Sequence, residues 1–153
     1  MFVCVSLVKN FEVGVDRQGV MSICSPRAVY HGPQYQRSSF PLLLVDLYEF
    51  LSSHPTETVI VSIKEEIPPN HPRFSYLLYK AIKDDIDEFW FLEDRIPRLE
   101  EVRGKIILLS RFDGSGDDGF ENGIGIHPYT WPDSRKEGFE WTCGDTAFRI
   151  QDW

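Results

Sequence analysis

Apolar residues in this chain come in short runs broken by charge, glycine and proline, and the period of each run predicts its element. Met1–Val8 and Gly19–Cys24 read as two short strands separated by the turn-like Asp16-Arg17-Gln18-Gly19. Residues 30–39 are polar and include Gly32 and Pro33, which predicts a loop. Between Pro41 and Ser53, the residues Leu43, Leu47, Phe50 and Leu51 recur at helical spacing. Pro41 suits a first-turn position there, and His54-Pro55 supplies a stop. Thr58–Ile63 is β-branched and nearly continuous in hydrophobicity, the pattern of a parallel strand buried on both faces, and it turns abruptly to charge at Lys64-Glu65-Glu66. A second helix is expected from about Pro72 to Leu92, on the spacing of Phe74, Leu77, Leu78, Ala81, Ile82, Ile86 and Phe89. Leu99–Val102 predicts a short helical turn, and Lys105–Ser110 a second buried strand ending on Arg111. Residues 113–125 read as a Gly- and Asp-rich loop, and His127–Trp153 shows no clear period.

Strands alternating with helices imply parallel crossovers and an α/β fold. Periodicity does not separate a doubly wound sheet from a (β/α)8 barrel, although a barrel of ~250 residues would exceed this 153-residue chain. In either fold, ligands gather at the C-terminal edge of the sheet. Lys64 and Arg111, one at the end of each buried strand, are therefore the candidate binding residues. Two cations there suit an anionic or polyhydroxylated ligand; the plainer reading is that each marks where a strand meets water.

Composition narrows the partners. A net charge of −8 argues against nucleic acid and against broad adsorption to anionic lipid, while a basic pocket within an acidic protein stays compatible with it. Three scattered cysteines, Cys4, Cys24 and Cys143, form neither a disulfide scaffold nor a CxxC zinc pattern. The first residues lack a basic segment and a small-residue cleavage site, so no signal peptide is expected, and no apolar run reaches the ~20 residues of a membrane span. Compartment stays open.

Among the other candidates, His54, His71 and His127 each sit beside a proline and read as turn or surface residues. Asp84-Asp85 and Asp87-Glu88 read as the solvated face of a helix. Asp117-Asp118 lacks the order of an EF-hand. Trp131, Trp141 and Trp153 read as packing residues, with interfacial lipid contact as the alternative.

One set of segments carries a resemblance. Tyr30-His31-Gly32-Pro33-Gln34-Tyr35, the run from Phe50 to Glu66, the run from Arg103 to Phe112, Trp131-Pro132-Asp133 and Ile150-Gln151-Asp152 follow one another as in the X-type catalytic domain of bacterial and fungal phosphatidylinositol-specific phospholipases C. The match covers most of residues 30–153, and the chain resembles such a domain incomplete at both ends. The resemblance implies a partial (β/α)8 TIM-type barrel and phosphodiester cleavage, with diacylglycerol and cyclic inositol phosphate as products. It casts His31 as the general acid on the departing glycerol oxygen, a role that imidazole suits near neutral pH. It casts Lys64 and Arg111 as contacts of inositol hydroxyls. It implies no cofactor and no metal, since Lys64 would repel the calcium used by animal relatives. The implied partner is phosphatidylinositol or a related head group, met in transient contact with a membrane surface.

The departures bear on activity. The family's first catalytic histidine, in a Gly-Thr-His-Asp-like segment, has no match here. Its Asp-x-Arg strand aligns with Phe11–Val15, which puts Glu12 for the aspartate and Gly14 where the arginine should be. A weak or inactive enzyme is therefore expected, with a non-catalytic head-group-binding module as the alternative.

Overall fold

The computed structural model describes residues 2–8, 13–15, 21–23, 28–31, 34–67, 74–112, 124–127 and 135–152. Along the chain these form β1 (Phe2–Val8), β2 (Val13–Val15), β3 (Met21–Ile23), β4 (Ala28–His31), β5 (Gln34–Ser39), α1 (Phe40–Ser53) and β6 (Val59–Ile67). There follow α2 (Phe74–Ile82), α3 (Ile86–Phe89), β7 (Trp90–Phe91), β8 (Ile106–Arg111), β9 (Arg135–Cys143) and β10 (Thr146–Asp152). A single turn of 3₁₀ helix at Leu99–Glu101 precedes β8, where the sequence predicts a helical turn.

Six strands make one sheet in the order β5-β4-β1-β6-β8-β7. Four of them, β1, β6, β8 and β7, run parallel, while β4 and β5 return as an antiparallel hairpin on β1. This is the α/β arrangement that the alternating pattern predicts. The core lies between this sheet and α1 with α2. Phe40, Leu44, Leu47 and Leu51 of α1 and Phe74, Leu78 and Ile82 of α2 close over Val59, Val61 and Ile63 of β6 and Ile106 and Leu108 of β8. Period 2 on the strands and period 3.6 on the helices bring these residues to one interface. Truncating a wholly covered member such as Leu51 would cost about 2–5 kcal/mol. The other face of β6 and β8 meets a second cluster, in which Cys143 and Trp141 of β9 pack with Ile107, Ile126, Phe91 and the partly buried Ile60 and Leu109.

Several expectations change. The polar stretch 30–39 is not a loop: it holds the end of β4 and all of β5, since the hairpin's backbone is bonded to β1. The predicted strand Met1–Val8 is found as Phe2–Val8 beside β6, while Val13–Val15, in the segment aligned with the family's Asp-x-Arg strand, forms β2 and pairs with β3 in a separate two-stranded sheet. The long second helix is broken at 83–85, so Asp84-Asp85 lies in a turn, and α3 gives way to β7. There the buried Trp90 pairs with Ile106 and donates from Nε1 to Tyr48 Oη at 2.8 Å. The strand containing Lys64 runs on to Ile67 because β1 pairs with it through Glu65 and Ile67. Most of His127–Trp153 is the β9–β10 hairpin, closed by Gly144-Asp145 with Gly144 at φ +56°. That Gly-Asp pair is a two-residue turn signal legible in the sequence.

Candidate functional site

Because β6 and β8 are parallel and in register, residues at matching positions leave the sheet on the same side. Lys64 and Arg111 are such partners. Their neighbours Ile63 and Ser110 are buried on the opposite, helix-covered side, and the two cations are half-buried. Arg111 is the last residue of β8, while β6 continues past Lys64 to Ile67, so the pair lies near the C-terminal end of the parallel strands with only Arg111 at a strand end. The two positions read separately from the sequence thus fall side by side, although β6 does not end at Lys64 as the sequence predicts.

The register row continues across the sheet. Ser6 of β1 pairs with Lys64 on one side and with Tyr30 of β4 on the other. His31 ends β4 one position past Tyr30, in register with Gln34 of β5. The structure therefore brings Lys64 and Arg111 together, and sets the His31 backbone two strands away from β6 and one step off their row. Gly32, Pro33, His71, Trp131-Pro132-Asp133, Asp117-Asp118 and Trp153 lie outside the described residues.

Ser62 is a residue that sequence reasoning passed over. It precedes Lys64 by two positions on the same face, is 1% exposed, and its hydroxyl has no hydrogen-bond partner among the described residues. A serine inside an otherwise apolar strand was the available signal. No tyrosine, arginine or carboxylate occurs in β1, the strand at Lys64's other flank.

The remaining candidates have structural settings. His54 caps the end of α1, with its Nδ1 2.9 Å from Phe50 O and its ring stacked on Phe50. His127 Nδ1 lies 3.0 Å from Gly125 O and 3.6 Å from Asp94 Oδ1, on the far flank of β8. Trp141 packs in the second cluster, as expected. The Cys143 thiol is buried there, and desolvation, with Asp94 adding, raises its pKa, which makes it a poor nucleophile. Among the described residues, no three His, Cys, Asp or Glu side chains gather to hold a metal ion, and no helix is long and apolar enough to cross a membrane.

No protein-family model matches the chain. A Listeria monocytogenes 1-phosphatidylinositol phosphodiesterase is 36% identical over 87 residues, 54% of this chain and 27% of that one. The solved phosphatidylinositol-specific phospholipase C of L. monocytogenes superposes with a TM-score of 0.53 at 26% identity, covering 72% of this chain and 36% of that one. A Staphylococcus aureus enzyme of the same name superposes with a TM-score of 0.66 at 20% identity, covering 99% of this chain and 48% of that one, a likeness of fold. The chain spans about half or less of the length of these relatives.

Proposed function

We propose a function from the premise that this chain is a bacterial-type phosphatidylinositol-specific phospholipase C domain: the Lys64–Arg111 pair recognises the inositol head group of phosphatidylinositol at a membrane surface. The observation that carries this reading is the direct register pairing of the two cations near the C-terminal end of the parallel strands. A lysine ammonium and a guanidinium offer several donors and no acceptor, which suits the hydroxyl and phosphate oxygens of such a ligand. Both described helices of the core cover one face of the sheet, and this supports the partial-barrel reading over a doubly wound one.

In the cleavage reading, the inositol 2-hydroxyl forms a bond to phosphorus as the bond to the glycerol oxygen breaks. His31, protonated, gives its proton to that oxygen, and the 2-hydroxyl proton passes to water. The matched segments supply no second histidine for that last transfer, and a positioned base is worth roughly 10²–10⁴-fold. Turnover is therefore slow. A specific observation favours the non-catalytic alternative: β1, which lies beside Lys64, holds no arginine to neutralise the phosphate.

Two assays test the proposal. The chain is expected to bind myo-inositol saturably, and Lys64→Met or Arg111→Met should weaken binding at least tenfold. Release of cyclic inositol phosphate from phosphatidylinositol micelles, abolished by His31→Ala, supports the enzyme. Binding without release supports the module. Absence of both overturns the reading.

A further inference from the structure

Among the described residues, the buried polar side chains are Ser62, Ser75 and Ser110. Ser110 Oγ donates to Ile124 O at 2.9 Å, and Ser75 has a partner as well. Ser62 Oγ has none among the described residues. β6 lies between β1 and β8, and both edges of its backbone are taken up by the parallel ladders. A buried hydroxyl left without a partner is uncommon in a native fold and calls for a reason. Proteins keep such destabilising groups where binding needs them.

The position of Ser62 supplies one. It stands two residues before Lys64, so both side chains leave β6 on the face that Arg111 shares. That spacing sets the two residues about 7 Å apart along the strand, within the span of one small ring-shaped ligand. Lys64 and Arg111 donate hydrogen bonds and accept none. A ligand hydroxyl that accepts from either cation still carries its own proton, which needs an acceptor. Neither flanking strand, β1 or β8, contains a carboxylate to take it. The Ser62 hydroxyl has lone pairs to offer on the same face.

We propose that Ser62 is a specificity-determining residue of the head-group site, its Oγ accepting a hydrogen bond from an inositol hydroxyl that Lys64 or Arg111 engages. The inference rests on the head-group reading above and names a ligand feature that the two cations alone do not select. Donors by themselves take any anion of suitable size. An acceptor beside them favours a polyol, whose hydroxyls donate, over a fully ionised anion, which has no proton to give. In this structure the Ser62 hydroxyl is closed to water. Lys64, next along the same face, is half-buried, and its flexible stem turns aside as its ammonium meets the ring. The free protein thus carries the unpaired hydroxyl, and the bound ligand satisfies it.

Calorimetric titration of the full chain with myo-inositol and, separately, with sulfate tests this. Ser62→Ala should weaken myo-inositol binding about three- to tenfold, the worth of one neutral hydrogen bond, and leave sulfate binding unchanged. Ser62→Cys, whose thiol is only a weak acceptor, should weaken myo-inositol binding as Ser62→Ala does. Ser62→Ala should also melt no lower than the wild type, because the hydroxyl it removes is unpaired in the free protein. The proposal is overturned if Ser62→Ala binds myo-inositol as tightly as the wild type does. It is overturned too if sulfate binding falls in parallel, since the variant would then have changed the shape of the site. A lowered melting temperature for Ser62→Ala also overturns it, because the hydroxyl would then be bonded within the fold. The head-group reading is tested apart from this role. If Lys64→Met weakens myo-inositol binding and Ser62→Ala does not, that reading stands and the role of Ser62 is lost. If the wild type binds no myo-inositol, the reading falls and the inference with it.

Discussion

Lys64 of β6 and Arg111 of β8 are direct register partners whose side chains rise from the same face of the sheet. Two cations held side by side repel one another, and at half-exposed positions this amounts to at most ~1 kcal/mol. Lys64→Met is expected to weaken myo-inositol binding at least tenfold, and any change in melting temperature reports the contacts that Lys64 makes within the fold. Calorimetric titration and thermal unfolding read the two effects separately. A melting temperature lowered by several degrees would make Lys64 a structural residue instead.

Beneath that pair, the Ser62 hydroxyl is buried without a hydrogen-bond partner among the described residues. A polar group left so costs about 1–3 kcal/mol, and its removal relieves the cost. Ser62→Ala should raise stability by about 1 kcal/mol in urea unfolding. A loss of stability would show that the hydroxyl is satisfied in solution.

Tyr48 couples α1 to β7: its hydroxyl accepts from Trp90 Nε1, and its ring stacks on Phe89 at 4.5 Å. Burial pushes the Tyr48 phenol from 10.0 up to about 12. The folded state thus retains a proton that the unfolded state releases near pH 10. This contribution is complete below pH 10 and is lost as pH rises towards 12. Tyr48→Phe should flatten the fall in stability across that window. At neutral pH it should cost about 1–3 kcal/mol by stranding the Trp90 N–H, and Trp90 fluorescence should report the change.

Gly125 lets residues 124–126 run against β8. Its φ is +73°, and a β-carbon there would stand 2.6 Å from Leu108 O. Around it Ile126 N donates to Leu108 O and Ser110 N to Ile126 O. Left-handed backbone costs a non-glycine residue roughly 1–2 kcal/mol, and the clash with backbone adds to it. Gly125→Ala should lower stability by at least ~2 kcal/mol in denaturant unfolding, and a neutral effect would mean that the segment leaves β8 in solution.

The elements that were legible in advance are those whose signal is local. β6 and β8 announced themselves by unbroken β-branched and aliphatic runs, and α1 by its spacing, although Leu44 rather than Leu43 is the residue buried. The hairpin β4–β5 and the strand β7 were not legible. Their short segments are held by hydrogen bonds to β1 and β8, far away in sequence, and such pairing overrides the local preference of polar or helix-spaced residues. The β9–β10 hairpin was missed for want of period, although its Gly144-Asp145 turn was in view.

The candidate site divides in the same way. The sequence alone determined that Lys64 and Arg111 each stand where a buried strand turns to charge, and that His31 lies in a His-Gly-Pro segment, because residue type and order are local facts. That the two cations are neighbours on one face, that Ser62 lies under them, and that His31 stands one step off their row were decided by strand register. Register depends on which strands pair and with what offset. A one-residue slip would turn a side chain to the other face, so that choice is made by tertiary packing.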